Sequence, residues 1–126
     1  MATKFVVCGA AGRMGKALCA VIGETPGAVL AGAVEAPGSP FVGRDAGEVA
    51  GLAAAGVAIV DDYAAVAAAD TVALDFTAPA ATLAHLRTAV AAGAAIAIGT
   101  TGFAPGEAAE LAELAPRTRC LVAPNM

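Results

Sequence analysis

Three glycines near the N-terminus, Gly9, Gly12 and Gly15, constrain this chain more than any other feature. They follow a short apolar run, Phe5–Cys8, and open a segment in which Met14, Leu18, Val21 and Ile22 recur at helical spacing. Strand, tight turn and helix in that order make a site for a pyrophosphate. Gly9 lets the chain leave the strand, Gly12 clears the space into which a phosphate must come, and Gly15 lets helix and strand pack closely. The helix start adds free N–H groups and a partial positive charge. A glycine pattern of this kind also occurs as a plain turn, so the rest of the chain has to decide.

The remaining sequence alternates between the two periods of a doubly wound α/β domain. We read strands at 4–8, 29–34, 57–60, 71–76, 95–98 and 119–122. Helices are expected at about 13–23, at 61 or 62 to 69 behind an aspartate cap, after Pro79 with Leu83, Leu86 and Val90 on one face, and at 106–115 with Ala108, Leu111 and Leu114 turned inward. Residues 36–40 form a rigid Pro- and Gly-bearing loop, and 41–56 are irregular apart from a single turn at 45–48. Six strands alternating with helices imply a right-handed, doubly wound parallel sheet in one domain.

Composition narrows the function. A net charge of -4 and a pI near 4.7 argue against nucleic acid and against an anionic membrane. With one Tyr, four Phe and no Trp there is no platform for stacking bases. The mean hydropathy of +0.77 and the uncharged run 88–106 raise a membrane span. That run is mostly alanine, is broken by Gly93, and ends in Gly99-Thr-Thr-Gly and Pro105, so a helix end, a turn and a parallel strand account for it better. Arg13 and Lys16 interrupt any signal-peptide core, and the expectation is a soluble, cytoplasmic protein. Cys8, Cys19 and Cys120 lack metal-ligand spacing and read as buried thiols of a reducing compartment, with neither a metal site nor a catalytic cysteine expected.

Other strand ends carry further polar groups. Glu35 closes the second strand twenty positions beyond Gly15, where a carboxylate can accept hydrogen bonds from both hydroxyls of an adenine ribose. Asp75-Phe76-Thr77, Gly99-Thr100-Thr101-Gly102 and Ala123-Pro124-Asn125-Met126 stand at three further ends, the edge at which open α/β sheets bind ligands.

Taken together, Gly9-Ala10-Ala11-Gly12-Arg13-Met14-Gly15, Glu35-Ala-Pro-Gly-Ser, Asp45-Ala-Gly-Glu, Asp75-Phe-Thr-x-Pro, Gly99-Thr-Thr-Gly-Phe and Ala123-Pro-Asn closely resemble the cofactor domain of the dihydrodipicolinate (4-hydroxy-tetrahydrodipicolinate) reductases. The resemblance implies a Rossmann-type domain of an oxidoreductase of lysine and diaminopimelate biosynthesis that reduces a cyclic imine precursor with NADH or NADPH. It implies that residues 9–14 hold the pyrophosphate and Glu35 the ribose. Phe76 and Thr77, 99–101 and 123–126 would form the nicotinamide floor. The family's catalytic histidine and substrate-gripping lysine belong to a second domain, so no catalytic residue is assigned within the chain. The small dicarboxylate substrate would be met through that domain, in a homo-oligomeric parent. His85, the sole histidine, reads as a surface or packing residue. Glu35 followed by Ala36 favours a free 2′-hydroxyl, hence NADH over NADPH. Two competing readings are a non-catalytic NAD-sensing module, which leaves the Gly-Thr-Thr-Gly and Ala-Pro-Asn loops unexplained, and an S-adenosylmethionine methyltransferase, which the glycine spacing disfavours.

Overall fold

A computed structural model describes residues 2–123. Strands β1 (Thr3–Cys8), β2 (Ala28–Val34), β3 (Ile59–Val60), β4 (Thr71–Asp75), β5 (Ala95–Ile98) and β6 (Cys120–Val122) form one parallel sheet in the order β3-β2-β1-β4-β5-β6. Helices α1 (Arg13–Glu24), α2 (Ala46–Val49), α3 (Pro79–Ala92) and α4 (Pro105–Leu114) make the connections, with 3₁₀ turns at Tyr63–Ala65 and Ala115–Arg117. The doubly wound parallel sheet expected from the alternating periods is the one observed.

Its core follows from strand alternation. Val6 and Cys8 face one side of β1 and join Val34, Ala73, Leu86, Ala89, Ile96 and Ile98 beneath α3. Val7 faces the other side, with Ala10, Cys19, Ile22, Ala33 and Ile59 beneath α1. Chain order runs outward from β1 through β2 to β3, then jumps back across β1 to β4. The order therefore reverses between β1 and β4, the point at which such sheets open a crevice.

Register puts the crevice in place. Cys8 pairs with both Val34 and Asp75, Asp75 with Ile98, and Ile98 with Val122. The next residue of each strand, Gly9, Glu35, Phe76, Gly99 and Ala123, thus emerges at one level along the carboxyl edge of the sheet.

Several local expectations need correction. The third strand is two residues long, because Asp45 bridges Ala58 in antiparallel fashion and diverts the approach to it. The segment after it is a single 3₁₀ turn capped by Asp62 rather than a helix to residue 69; only Tyr63 of that turn is buried, too little to hold a longer helix. The face of α1 is rotated: Gly15, Cys19 and Ile22 are buried, whereas Met14 and Val21 are exposed. Ala108 is exposed, and Leu111 and Leu114 are half-buried, because α4 lies over the thin edge made by β5 and β6. No helix among the described residues is long and apolar enough to cross a membrane.

The irregular stretch 41–57 is tied by one side chain. The Asp45 carboxylate accepts from the backbone N–H groups of Glu48, Ala55, Gly56 and Val57 at 2.8–3.1 Å. Those donors, Ala55 first and Glu48 next, hold its carboxyl below the usual carboxylate range. A folded-state pKa below the unfolded one contributes stability above the unfolded value, and that contribution is lost as pH falls through the folded value. Hydrogen exchange at Ala55–Val57 should therefore stay slow down to the ordinary carboxylate range and quicken only below it. Asp45→Ala should quicken it at every pH.

Candidate functional site

A cleft of about 550 Å³ opens at the sheet reversal, walled by Gly9 and Gly12, by Glu35, Ala36 and Pro37, by Asp61 to Tyr63, and by residues of the β4–α3 segment from Phe76 to Thr88. Its glycine wall is built as the spacing predicts. Gly9 takes a φ of +85°, a conformation that side chains resist, and its N–H donates to the Val34 carbonyl at 2.8 Å as the chain turns off β1. A Cβ on Gly15 would fall on the Gly9 carbonyl oxygen, with the Ala10 Cα only 2.8 Å away. Gly12 differs from both: a Cβ there would meet nothing but the Gly9 oxygen, at 3.2 Å, and would project beside the cleft. Gly12 is also the N-cap of α1, whose first turn has neither a capping side chain nor an acidic residue. Its amide groups and dipole are left to an anion.

Glu35 closes the opposite wall. Its Oε2 accepts from the Ala11 N–H at 2.9 Å and its Oε1 from the Ala36 N–H at 3.3 Å. Each oxygen keeps acceptor capacity beyond the bond it makes. Glu35 therefore both pins the glycine loop to β2 and offers an oriented carboxylate to the cleft.

Beneath the third wall lies a buried polar network. Asp75 is fully buried at the end of β4. Its Oδ1 accepts from the Thr77 N–H at 3.1 Å, the Thr77 hydroxyl at 2.6 Å and the Thr82 hydroxyl at 3.3 Å. Its Oδ2 faces His85 Nδ1 at 2.6 Å. The Thr82 hydroxyl shares its single proton between Asp75 Oδ1 and Thr100 Oγ1, the latter 2.7 Å away, and Thr100 accepts from the Thr77 N–H. Tyr63 packs edge-on to the His85 ring, with centroids 5.6 Å apart, and its buried hydroxyl has no hydrogen-bond partner among the described residues. Burial, and secondarily the Asp75 charge, pushes the Cys8 thiol well above its ordinary pKa. Burial likewise raises Tyr63.

Of the candidate residues, Gly9, Gly12, Glu35, Phe76 and Thr77 share this cleft. Ala10 is buried beneath the glycine turn, Ala11 contributes the N–H that Glu35 holds, and Arg13 and Met14 stand exposed on the first turn of α1. Gly99, Thr100, Thr101 and Ala123 lie along the sheet edge outside the cleft walls. Gly99 is bare because the Phe76 ring packs where a Cβ would go, and Thr100 is buried with its hydroxyl turned into the Asp75 network. Pro124, Asn125 and Met126 lie outside the described residues. His85, read as a surface or packing residue, does pack, edge-on against Tyr63, and is also a part-buried partner of Asp75 that lines the cleft, because α3 turns it toward the strand end. A readable signal existed: Thr82, Leu83, Leu86 and Ala89 mark the buried stripe of α3, and His85 falls beside it.

Fold and cleft together define a doubly wound α/β domain with a ligand crevice at its topological switch point. The chain belongs to the dihydrodipicolinate reductase N-terminus family, which it matches over residues 3–126. It is 51% identical over 123 residues to the 4-hydroxy-tetrahydrodipicolinate reductase of Citrifermentans bemidjiense, covering 98% of this chain and 46% of that one. It is 47% identical over 124 residues to that of Anaeromyxobacter dehalogenans, with the same coverage. The chain thus spans about half the length of these relatives. Among solved structures it is similar to an amine dehydrogenase from Mycobacterium smegmatis (TM-score 0.71, 25% identity, 95% of this chain and 38% of that one). It is also similar in fold to a dipicolinate-bound dihydrodipicolinate reductase from Paenisporosarcina sp. TG-14 (TM-score 0.73, 21% identity, 99% and 48%).

Proposed function

We propose that this chain is the cofactor-binding part of an NAD(P)H-dependent 4-hydroxy-tetrahydrodipicolinate reductase of lysine and diaminopimelate biosynthesis. The observation that carries the reading is the pairing, across one cleft, of the bare Gly12 at an uncapped helix start with the pre-oriented Glu35 carboxylate. That pairing fits a dinucleotide: the α1 amides receive the pyrophosphate and Glu35 accepts from the ribose hydroxyls. Ala36, Pro37, Ala81 and Ala84 give the adenine end of the cleft an apolar lining. Phe76 and Thr77, with residues 99–101 and Ala123 along the same edge, would support the nicotinamide half. When bound, the cofactor supplies the hydride. The protein's share is orientation and exclusion of water, and the network around Asp75 keeps the floor of the cleft rigid for that task.

The loops that would floor the nicotinamide carry no cation, and the histidine of the cleft, His85, is engaged with Asp75. No Lys, Arg or His occurs at 75–77, 99–101 or 123–126, so these loops hold nothing to grip a dicarboxylate or to protonate a product nitrogen. We expect the 126-residue chain to bind the cofactor without oxidising it in the presence of freshly generated imine substrate. Robust turnover would show that the catalytic groups lie within it. Calorimetry with NADH and with S-adenosylmethionine tests the reading itself. Saturable 1:1 binding of NADH alone is expected, and preference for S-adenosylmethionine would refute it.

Cofactor choice follows from the same wall. A 2′-phosphate would meet the Glu35 carboxylate with Ala36 and Pro37 beside it and no lysine or arginine lining the cleft among the described residues. NADH should bind more tightly than NADPH in side-by-side titrations; the reverse order would count against this role for Glu35.

A further inference from the structure

Cys8, Asp75 and His85 come from three separate elements, yet their ligand atoms all lie within 4.8 Å of one another beneath the cleft. Cys8 and Asp75 are fully buried, and the His85 side chain is 17% exposed on the cleft side. We propose that these three residues form a binding site for one zinc-class divalent cation. Dinucleotide binding plays no part in the argument.

The donor set, one thiol, one carboxylate oxygen and one imidazole nitrogen, is of the mixed kind that zinc accepts. The support around it is what a metal site needs. Thr77 and Thr82 spend three hydrogen bonds on Asp75 Oδ1 and none on Oδ2, so the carboxylate is locked with Oδ2 turned to His85. Thr100 in turn holds Thr82. Tyr63 lies edge-on against the imidazole and restricts its plane. Partners of this kind, which orient ligands without touching the ion, tune affinity at known sites. A second observation points to a missing ligand. The Tyr63 hydroxyl belongs to the same buried cluster as Cys8 and lacks any hydrogen-bond partner among the described residues, although buried polar groups are nearly always satisfied. Three protein ligands leave a fourth position open to a water.

The rearrangement is small. Ligand atoms around a tetrahedral zinc stand about 3.3 to 3.7 Å apart. The His85–Asp75 contact of 2.6 Å would open by about 1 Å, with Cys8 Sγ already within 4.8 Å of both. Binding replaces the Cys8 S–H bond by a metal–sulfur bond and releases that proton to solvent. If Nδ1 carries the imidazole proton, it moves to Nε2 as Nδ1 takes the metal.

The test is cobalt(II) titration of tag-free, reduced protein without nucleotide, followed by zinc displacement. One equivalent of Co²⁺ should give intense tetrahedral d–d bands with a thiolate-to-metal charge-transfer band, and Zn²⁺ should abolish both. Cys8→Ser should remove the charge-transfer band and weaken zinc binding at least about 100-fold, while Cys19→Ser and Cys120→Ser leave both unchanged. His85→Gln should weaken zinc binding to a similar degree, and it covers the case in which Cys8→Ser does not fold. No thiolate band, a band that survives Cys8→Ser or disappears with Cys19→Ser or Cys120→Ser, or zinc affinity unchanged in His85→Gln would overturn the assignment.

Discussion

Gly12→Val should fold and lose its dinucleotide, whereas Gly15→Val should not fold. The two glycines are three residues apart in one motif, yet the space around them differs. At Gly12 an added side chain meets only one carbonyl oxygen, at 3.2 Å, and occupies the place a diphosphate needs. We expect NADH affinity to fall at least 100-fold, about 3 kcal/mol, with the melting temperature little changed. At Gly15 the same side chain runs into the backbone of Gly9 and Ala10, which cannot give without breaking the turn off β1. The cost should exceed about 3 kcal/mol, a large share of a domain's stability. Calorimetry and thermal denaturation separate the effects. A Gly12→Val protein that binds NADH normally would reduce the glycine motif to a turn.

Asp75→Ala is the second large effect. Removing a fully buried carboxylate leaves His85 Nδ1 without its partner and strips the Thr77 and Thr82 hydroxyls of one contact each, although the two hydroxyls remain 3.2 Å apart. Losing one partner of a buried charged network costs about 3 to 5 kcal/mol. The loss should appear as a lowered denaturant midpoint at an unchanged slope. Thr100→Val should cost less, about 1 to 2 kcal/mol, since Thr82 keeps Asp75 and the losses are one contact each for the Thr77 N–H and the Thr82 hydroxyl and a long bond to the Asp75 carbonyl. Equal losses would mean that Asp75 is not the hub.

These contrasts show what is legible in the chain. Strand ends were readable because Gly9, Glu35 and Gly99 each follow an apolar run, and parallel register brings such ends to one level. The glycine roles were readable because backbone approach depends on the lack of a side chain. The phase of α1 was not: Met14 and Val21 are apolar but exposed, and close packing at the small Gly15 decides which face is buried. Nor was the Asp75–His85 pair, which depends on how far α3 rotates after Pro79. Ten residues of separation across a turn carry no period, and only three-dimensional placement reveals the contact. Thr100 was readable as part of a strand-end loop, but the inward turn of its hydroxyl is a packing outcome.

A crystal structure of the protein with NADH will show whether Glu35 and Gly12 face the adenine ribose and the diphosphate of one bound dinucleotide. The adenine ribose hydroxyls should lie on the Glu35 carboxylate, which keeps its bond from the Ala11 N–H, and the diphosphate over Gly12 against the first amides of α1. A dinucleotide seated elsewhere, or one whose ribose stands away from Glu35, would contradict it.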